Sequence, residues 1–119
     1  MESENADEPW AGHRIERDVP TCGLSETVGV VRARARAAGW DACVVVNERR
    51  IVLGLLGPYE FGADDEACVE TVMELGPSTS RPHAPLSDVR EFFEEQQRSV
   101  AVVTTSDGVL LGLLRREAV

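Results

Sequence analysis

The chain has 119 residues, which is enough for one compact domain with a modest core. Its hydrophobic fraction of 43% and charged fraction of 28% are those of an ordinary globular domain. The formal net charge of −9 argues against nucleic acid and anionic membranes as partners, and the absence of lysine excludes catalysis by a Schiff-base or P-loop lysine.

The N-terminal residues 1–16 are polar and acidic and show no apolar period. We expect them to form a flexible arm, with Trp10 and Ile15 able to hold part of it against the body. The N-terminus carries no basic region followed by an apolar one, and no apolar run approaches the length of a membrane span. We therefore expect a cytoplasmic protein that does not enter a membrane.

The next part of the chain predicts a helix followed by a β-hairpin. A short extended segment leads to an apolar period typical of a helix, with Ser25 or Thr27 as the N-cap and Gly39 as the C-terminal stop. Two apolar runs on either side of the polar tip 47–50 then predict a hairpin with buried strands. Cys43 leads into the first of these strands and is interpreted as a small core residue.

The remaining elements follow in the same order. A second helix is predicted over 64–75, with acidic residues at its N-terminal end, and the Gly-Pro pair at 76–77 breaks it. A further helix is predicted over 86–97, followed by a second hairpin and the last residues, 115–119. Each half of the chain is therefore predicted to be strand, helix, strand, strand and the start of a helix.

The two halves are an ungapped internal repeat with an offset of 58 residues, so that Val44 corresponds to Val102. Between residues 20–61 and 78–119, the pairs that are identical across this offset are Thr21 and Thr79, Val31 and Val89, Arg32 and Arg90, Val44 and Val102, Val45 and Val103, Leu53 and Leu111, Gly54 and Gly112, Leu55 and Leu113, and Leu56 and Leu114. Such a duplication indicates that each half is one supersecondary unit that cannot bury its apolar face alone. We therefore predict an α/β (α+β) fold of two β-α-β-β-α repeats, over 17–75 and 76–119, that form one intramolecular pair.

The tandem order, with a threonine ahead of the helix, a Val-Val hairpin and a Gly-Leu-Leu strand, resembles the CBS domain, and the pair resembles a Bateman module. The resemblance covers residues 17–119. It implies a non-enzymatic regulatory module with two clefts between the repeats, which in many members hold AMP, ADP, ATP or S-adenosylmethionine. It also implies a homodimer, and the signal would have to pass to an effector protein on another chain.

The resemblance also implies which residues of the first half meet the ligand. In the family, a threonine or serine three residues after the glycine contacts phosphate, and an aspartate six residues after it holds the ribose hydroxyls. After Gly54 these positions are Gly57 and Glu60, and a glutamate can still accept hydrogen bonds from both ribose hydroxyls. The first half therefore keeps a partial ribose site.

The second half departs further from the family pattern. After Gly112 the two positions are Arg115 and Ala118, and an alanine cannot hold a ribose. Arg115 and Arg116 could instead bind a phosphate through their guanidinium groups. The other residues that we expect to contact the ligand are Thr21, Val44, Val46, Thr79 and Val102.

Ordinary structural roles remain open for these residues. Glu60 can also be a solvated carboxylate at a helix start, and Arg115 and Arg116 can be solvent-facing side chains. Thr21 and Thr79 can be ordinary strand residues, although their equivalence across the repeat favours a place in the clefts.

Catalysis and metal binding have no supporting motif. The sequence contains no GxSxG, and no GxGxxG or P-loop follows a predicted strand. His13 and His83 show no metal-ligand spacing, and the acidic residues 64–66 lack the alternation of a calcium loop. We expect neither an enzyme nor a resident cofactor or metal.

Two functional hypotheses follow. The first is a sensor that binds an adenosine-containing ligand between the repeats and transmits its presence through a homodimer. The second is a ligand-independent dimerisation or scaffold module with degenerate nucleotide sites. An open cleft beside Glu60 would favour the sensor, and a cleft filled by Tyr59 and Phe61 would favour the scaffold.

Overall fold

A computed structural model of the chain describes residues 9–119 and contains two small sheets with helices packed on them. The first sheet has the order β1 (Thr21–Cys22), β2 (Cys43–Val46), β3 (Val52–Leu56) and β4 (Glu74–Leu75). The second sheet has the order β5 (Thr79–Ser80), β6 (Val100–Thr104) and β7 (Leu110–Arg115). The helices are α1 (Val28–Ala37), α2 (Val69–Val72) and α3 (Leu86–Gln96), and short 3-10 turns span Ala11–His13, Glu60–Gly62 and Arg116–Ala118.

The backbone of the second half repeats that of the first. β1 lies parallel to β2, with Thr21 opposite Val44, and β5 lies parallel to β6, with Thr79 opposite Val102. Each hairpin is antiparallel, and the register shifts at equivalent places, between residues 45 and 46 and between residues 103 and 104. The predicted α/β architecture of two repeats is confirmed.

The buried apolar side chains form two clusters, and the repeats share the larger one. The larger cluster of buried apolar side chains belongs mainly to the first half but includes Val102, Leu110 and Leu113 of the second. The hairpins also join backbone to backbone: the Val52 N–H donates to the Gly108 carbonyl at 3.0 Å, and the Leu110 N–H donates to Arg50 at 2.9 Å. Burial of apolar surface is the main favourable term in folding, so the halves depend on each other for stability.

The first predicted helix is confirmed. Val28, Val31 and Ala35 recur at helical spacing and are fully buried. Thr27 occupies the N-cap position with extended backbone, although its side chain makes no capping hydrogen bond. Gly39 follows the helix with φ of +83°, a conformation that glycine adopts without the steric cost of a side chain.

The helix predicted over 64–75 is wrong in extent, because only Val69–Val72 is helical. Glu74 and Leu75 instead form β4 and pair with Leu55 and Gly54 of β3. A side chain on Gly54 would crowd this strand, since a Cβ there would lie 2.5 Å from Met73 Sδ and 3.0 Å from the Glu74 carbonyl oxygen. The glycine therefore favours the close approach of β4 to β3.

Residues 9–16 are held against the body and not loosely attached, and Trp10 and Ile15 take part as expected: Trp10 pairs with Pro85, and Ile15 packs against buried apolar side chains. Ala11 is fully buried, and its N–H donates to the Ala84 carbonyl at 2.7 Å. Glu16 and Leu113 exchange two backbone hydrogen bonds of 2.8 and 3.0 Å, as β4 does with β3 in the first half. This segment therefore serves the second half as its missing helical turn and strand. The remaining residues of the predicted arm, 1–8, lie outside the described part of the chain.

Candidate functional site

The first cleft lies between the repeats and has a volume of about 620 Å³. The turn after β3 forms one wall, and the segment between α3 and β6 forms the other. The lining residues are Leu55, Gly57, Pro58, Tyr59, Glu60, Glu74, Gln97, Arg98, Ser99 and Val100. A neighbouring cavity of about 650 Å³ shares Pro58, Tyr59 and Glu60 and extends to Val72.

The turn that carries Glu60 is held firmly. Phe61 is buried in the core at 2% exposure, while Tyr59 is 90% exposed and leaves the cleft open. Arg32 of α1 donates from Nε to the Phe61 carbonyl at 2.9 Å and from Nη2 to the Ala63 carbonyl at 3.0 Å. Glu60 Oε1 accepts from the Gly57 N–H at 2.7 Å. These bonds fix the carboxylate at the rim of the cleft.

Glu60 also shows the structural role that remained open. It begins the 3-10 turn Glu60–Gly62 and is half-buried, so it is a carboxylate at a helical start. A carboxylate offers about four acceptor positions, and the Gly57 N–H uses one of them. The structural role of Glu60 therefore leaves acceptor capacity for the two hydroxyls of a ribose.

An ion pair crosses the first cleft. Arg98 donates from Nη1 to Glu74 Oε1 and from Nη2 to Glu74 Oε2, the second bond measuring 2.8 Å. The carboxylate raises the pKa of the Arg98 guanidinium through these bonds, and the charge of Glu60 raises it further. The guanidinium fork therefore already holds a carboxylate in both of its arms.

The second cleft is smaller, at about 170 Å³. Arg115 lies over the ring of Trp40, with its guanidinium carbon 3.7 Å from the ring centroid. Its Nε donates to Glu16 Oε2 at 2.7 Å, and its Nη2 donates to the Gly39 carbonyl at 3.2 Å. Arg115 therefore closes much of the space that the repeat symmetry would otherwise open.

The structure separates the predicted site residues. Gly57 and Glu60 lie together in the first cleft, and Arg115 lies in the second. Arg116 is exposed at the start of the last 3-10 turn and lines neither cleft.

The predicted strand residues lie away from both clefts. Val44 and Val102 are fully buried in the shared core, and Val46 packs against that core while half-buried. Thr21 accepts a hydrogen bond at its carbonyl from Arg34, and Thr79 accepts one at Oγ1 from Arg81. None of the five is among the residues that line the two clefts.

Sequence reasoning missed three residues that line the clefts, Trp40, Glu74 and Arg98, and also Glu16, which pairs with the lining residue Arg115. The repeat offset contained the signal, since Glu16 corresponds to Glu74 and Trp40 to Arg98. The pair of Glu16 and Glu74 was missed because Glu16 lies in the N-terminal segment, ahead of the predicted first repeat. The second pair was hidden because each cleft combines the turn of one repeat with the segment before the hairpin of the other.

No family model matches the chain, and no curated protein matches it. Solved structures do match. The CBS domains of a transcriptional regulator from Streptococcus pneumoniae align with a TM-score of 0.82 and 15% identity, over 92% of this chain and 94% of that one. The chain folds as a CBS domain pair.

Two further matches are CBS proteins with bound ligands. CBSX2 in complex with AMP has a TM-score of 0.85 and 18% identity, with 92% of each chain covered. The CBS domain pair of protein MJ0100, in complex with 5′-methylthioadenosine and S-adenosylmethionine, has a TM-score of 0.83 and 13% identity, over 93% of this chain and 92% of that one. The predicted resemblance to CBS pairs is confirmed at the level of the fold.

Two other features do not occur in the described part of the chain. Within residues 9–119, no helix is both long and apolar enough to cross a membrane. The same residues contain no group of three or more histidine, cysteine or acidic side chains arranged to hold a metal ion.

Proposed function

We propose that this CBS pair is a non-enzymatic regulatory module that binds an adenosine-containing ligand in its first cleft. The observation that supports this most is the openness of that cleft beside Glu60. Tyr59 points to solvent and Phe61 into the core, so neither side chain fills the space. A volume of about 620 Å³ also falls in the range of small-molecule sites.

The chemistry of the lining suits a nucleoside. Glu60 can accept from the ribose hydroxyls, while Leu55 and Val100 provide apolar surface for a base. With Arg115 and Trp40 in place, the second cleft leaves only about 170 Å³, below the range of small-molecule sites, so one ligand per chain is proposed. The signal would pass through a homodimer in the cytoplasm to an effector protein, without nucleic acid or membrane as partners.

A ligand-independent dimerisation or scaffold module is the second candidate. The observations that favour it are the engagement of both cleft arginines within the protein, Arg98 by Glu74 and Arg115 by Glu16. In that case the clefts are structural contacts between the repeats and no small molecule is required.

The test is calorimetric titration with AMP, ADP, ATP and S-adenosylmethionine, using wild type and Glu60→Ala. We expect saturable binding of at least one ligand, weakened about 10- to 100-fold by the substitution because hydrogen bonds to a charged acceptor contribute about 1.5–3 kcal/mol. Glu95→Ala is the matched control, since it removes the same charge from an exposed position on α3. Absence of binding to all four ligands would support the scaffold instead.

A further inference from the structure

Few charged side chains line the first cleft, and the negative ones outnumber the positive ones. Among the described residues that line it, the charged side chains are Glu60, Glu74 and Arg98. Two carboxylates and one guanidinium leave the cleft with a net charge of about −1, inside a protein whose formal charge is −9. The electrostatic field in the cleft is therefore unfavourable for an anion.

The single cation of the cleft is already used. Both terminal nitrogens of Arg98 donate to Glu74, which is the geometry by which an arginine would otherwise hold a phosphate. A phosphate could take this edge of the guanidinium only by displacing Glu74, and at the remaining N–H groups it would meet a positive charge that Glu74 already balances. The carboxylate of Glu74 would then remain beside the phosphate as a negative charge without a partner, in addition to that of Glu60.

In the second cleft, too, the arginine is paired with a glutamate. Arg115 is held by Glu16, and Glu16 stands at the repeat position of Glu74. A glutamate at this position therefore neutralises the arginine of each cleft, although the two arginines come from non-equivalent positions. The repetition indicates that both clefts avoid a free cation.

From this charge arrangement we infer that the first cleft selects adenosine-containing ligands whose 5′ substituent is neutral or cationic and discriminates against phosphate chains. The inference rests on the proposed function, since it names the ligand class of the same cleft. A thioether or sulfonium group at the 5′ carbon fits this class. AMP brings nearly two negative charges and ATP more, and both must work against Glu60 and Glu74.

The test compares four probes by calorimetric titration of the wild-type chain: 5′-methylthioadenosine, S-adenosylmethionine, AMP and ATP. We expect the first two to bind at least about tenfold more tightly than AMP, and ATP to bind most weakly. Raising the salt concentration should weaken S-adenosylmethionine and strengthen AMP, because screening reduces both the attraction and the repulsion. This salt comparison needs no substitution.

Glu74→Gln provides the second arm, because it removes the carboxylate that occupies Arg98. AMP should then gain about tenfold in affinity while 5′-methylthioadenosine changes by less than about threefold. Glu70→Gln is the matched control, since it makes the same change of charge at an exposed site on α2. An equal gain for AMP in both variants would show that only total charge matters and would overturn the inference.

The outcomes separate the inference from the proposed function. Tighter binding of AMP or ATP than of 5′-methylthioadenosine by the wild type would overturn the charge selection and leave adenosine binding intact. Failure of all four probes to bind would overturn adenosine binding and the selection together.

Discussion

At the scale of single residues, arginine supplies the cation of the ion pairs seen in the described residues. Arg32 fixes the Glu60 turn, and Arg34 pairs with Glu26. At the clefts, Arg98 pairs with Glu74 and Arg115 pairs with Glu16. A guanidinium can bond two partners at once and stays charged at any relevant pH. With no lysine in the chain, every such contact can have defined geometry.

The Glu26–Arg34 pair gives a prediction at this scale. Hydrogen bonding to Arg34 lowers the pKa of the Glu26 carboxyl below its ordinary value of 4.5. A depressed pKa in the folded state adds stability above the ordinary value, and this contribution disappears as the pH falls through the folded pKa. Because both side chains are partly exposed, Glu26→Gln should lower the free energy of unfolding at neutral pH by less than about 1 kcal/mol.

Urea unfolding of wild type and Glu26→Gln at neutral pH and at about pH 3 measures this difference. The difference between the two proteins should shrink at the acidic pH, because the contribution of the ion pair is lost as the pH falls through the lowered folded-state pKa of Glu26. A difference that persists unchanged in acid would show that the loss is not electrostatic. Glu95→Gln, on the exposed face of α3, controls for the change in net charge.

At the scale of elements, two glycines decide where chain segments can lie. Gly54 admits β4 beside β3, and Gly112 admits the segment around Glu16 beside β7. A Cβ on Gly112 would meet the Glu16 carbonyl oxygen and lie 3.3 Å from Arg17 Cα, both of which are backbone atoms. The glycine is therefore a condition for the docking of the N-terminal segment.

We predict that Gly112→Ala lowers the free energy of unfolding by about 1–3 kcal/mol, because the backbone must shift to remove the overlap. Gly23→Ala is the control, since a Cβ there has no neighbour within 4 Å, and it should change stability by less than about 0.5 kcal/mol. Denaturant unfolding of both variants measures the difference. Equal stability of Gly112→Ala and wild type would contradict the docking of Glu16 on β7.

The sequence predicted the hairpins and helices α1 and α3 because each has an apolar period that matches its burial. It could not limit α2 to Val69–Val72, because the residues of β4 pair with β3, a strand that is distant in sequence. It also did not place the N-terminal segment, whose docking depends on the buried Ala11 within a polar stretch. Local patterns identify elements, whereas close approaches between them depend on the assembled fold.

The candidate site was predicted less completely than the fold. Gly57 and Glu60 were predicted from their spacing after Gly54, and both lie in one continuous turn that lines the first cleft. Glu74 and Arg98 were missed because they come from different repeats and meet only when the repeats pack together. A site built between two repeats is therefore harder to predict than a site built within one.

At the scale of the whole molecule, the strand pairing of the two halves has repeat symmetry and the clefts do not. The symmetry follows from the ungapped repeat, and the asymmetry follows from substitutions at equivalent positions, such as Gly57 against Arg115 and Arg98 against Trp40. The first cleft, with Gly57 in its lining, has a volume of about 620 Å³. The second cleft, with Arg115 at the equivalent position, has a volume of about 170 Å³. The duplicated scaffold thus leaves one cleft open and fills much of the other with internal contacts.

The most direct test is the number of ligands bound per chain, measured by calorimetric titration of the wild type with S-adenosylmethionine and with 5′-methylthioadenosine. We predict saturable binding of about one ligand per chain, because Arg115 and Trp40 leave too little room in the second cleft. Two ligands per chain would contradict the asymmetry of the clefts. No saturable binding of these ligands or of the adenosine nucleotides would contradict the sensor and leave a scaffold as the function.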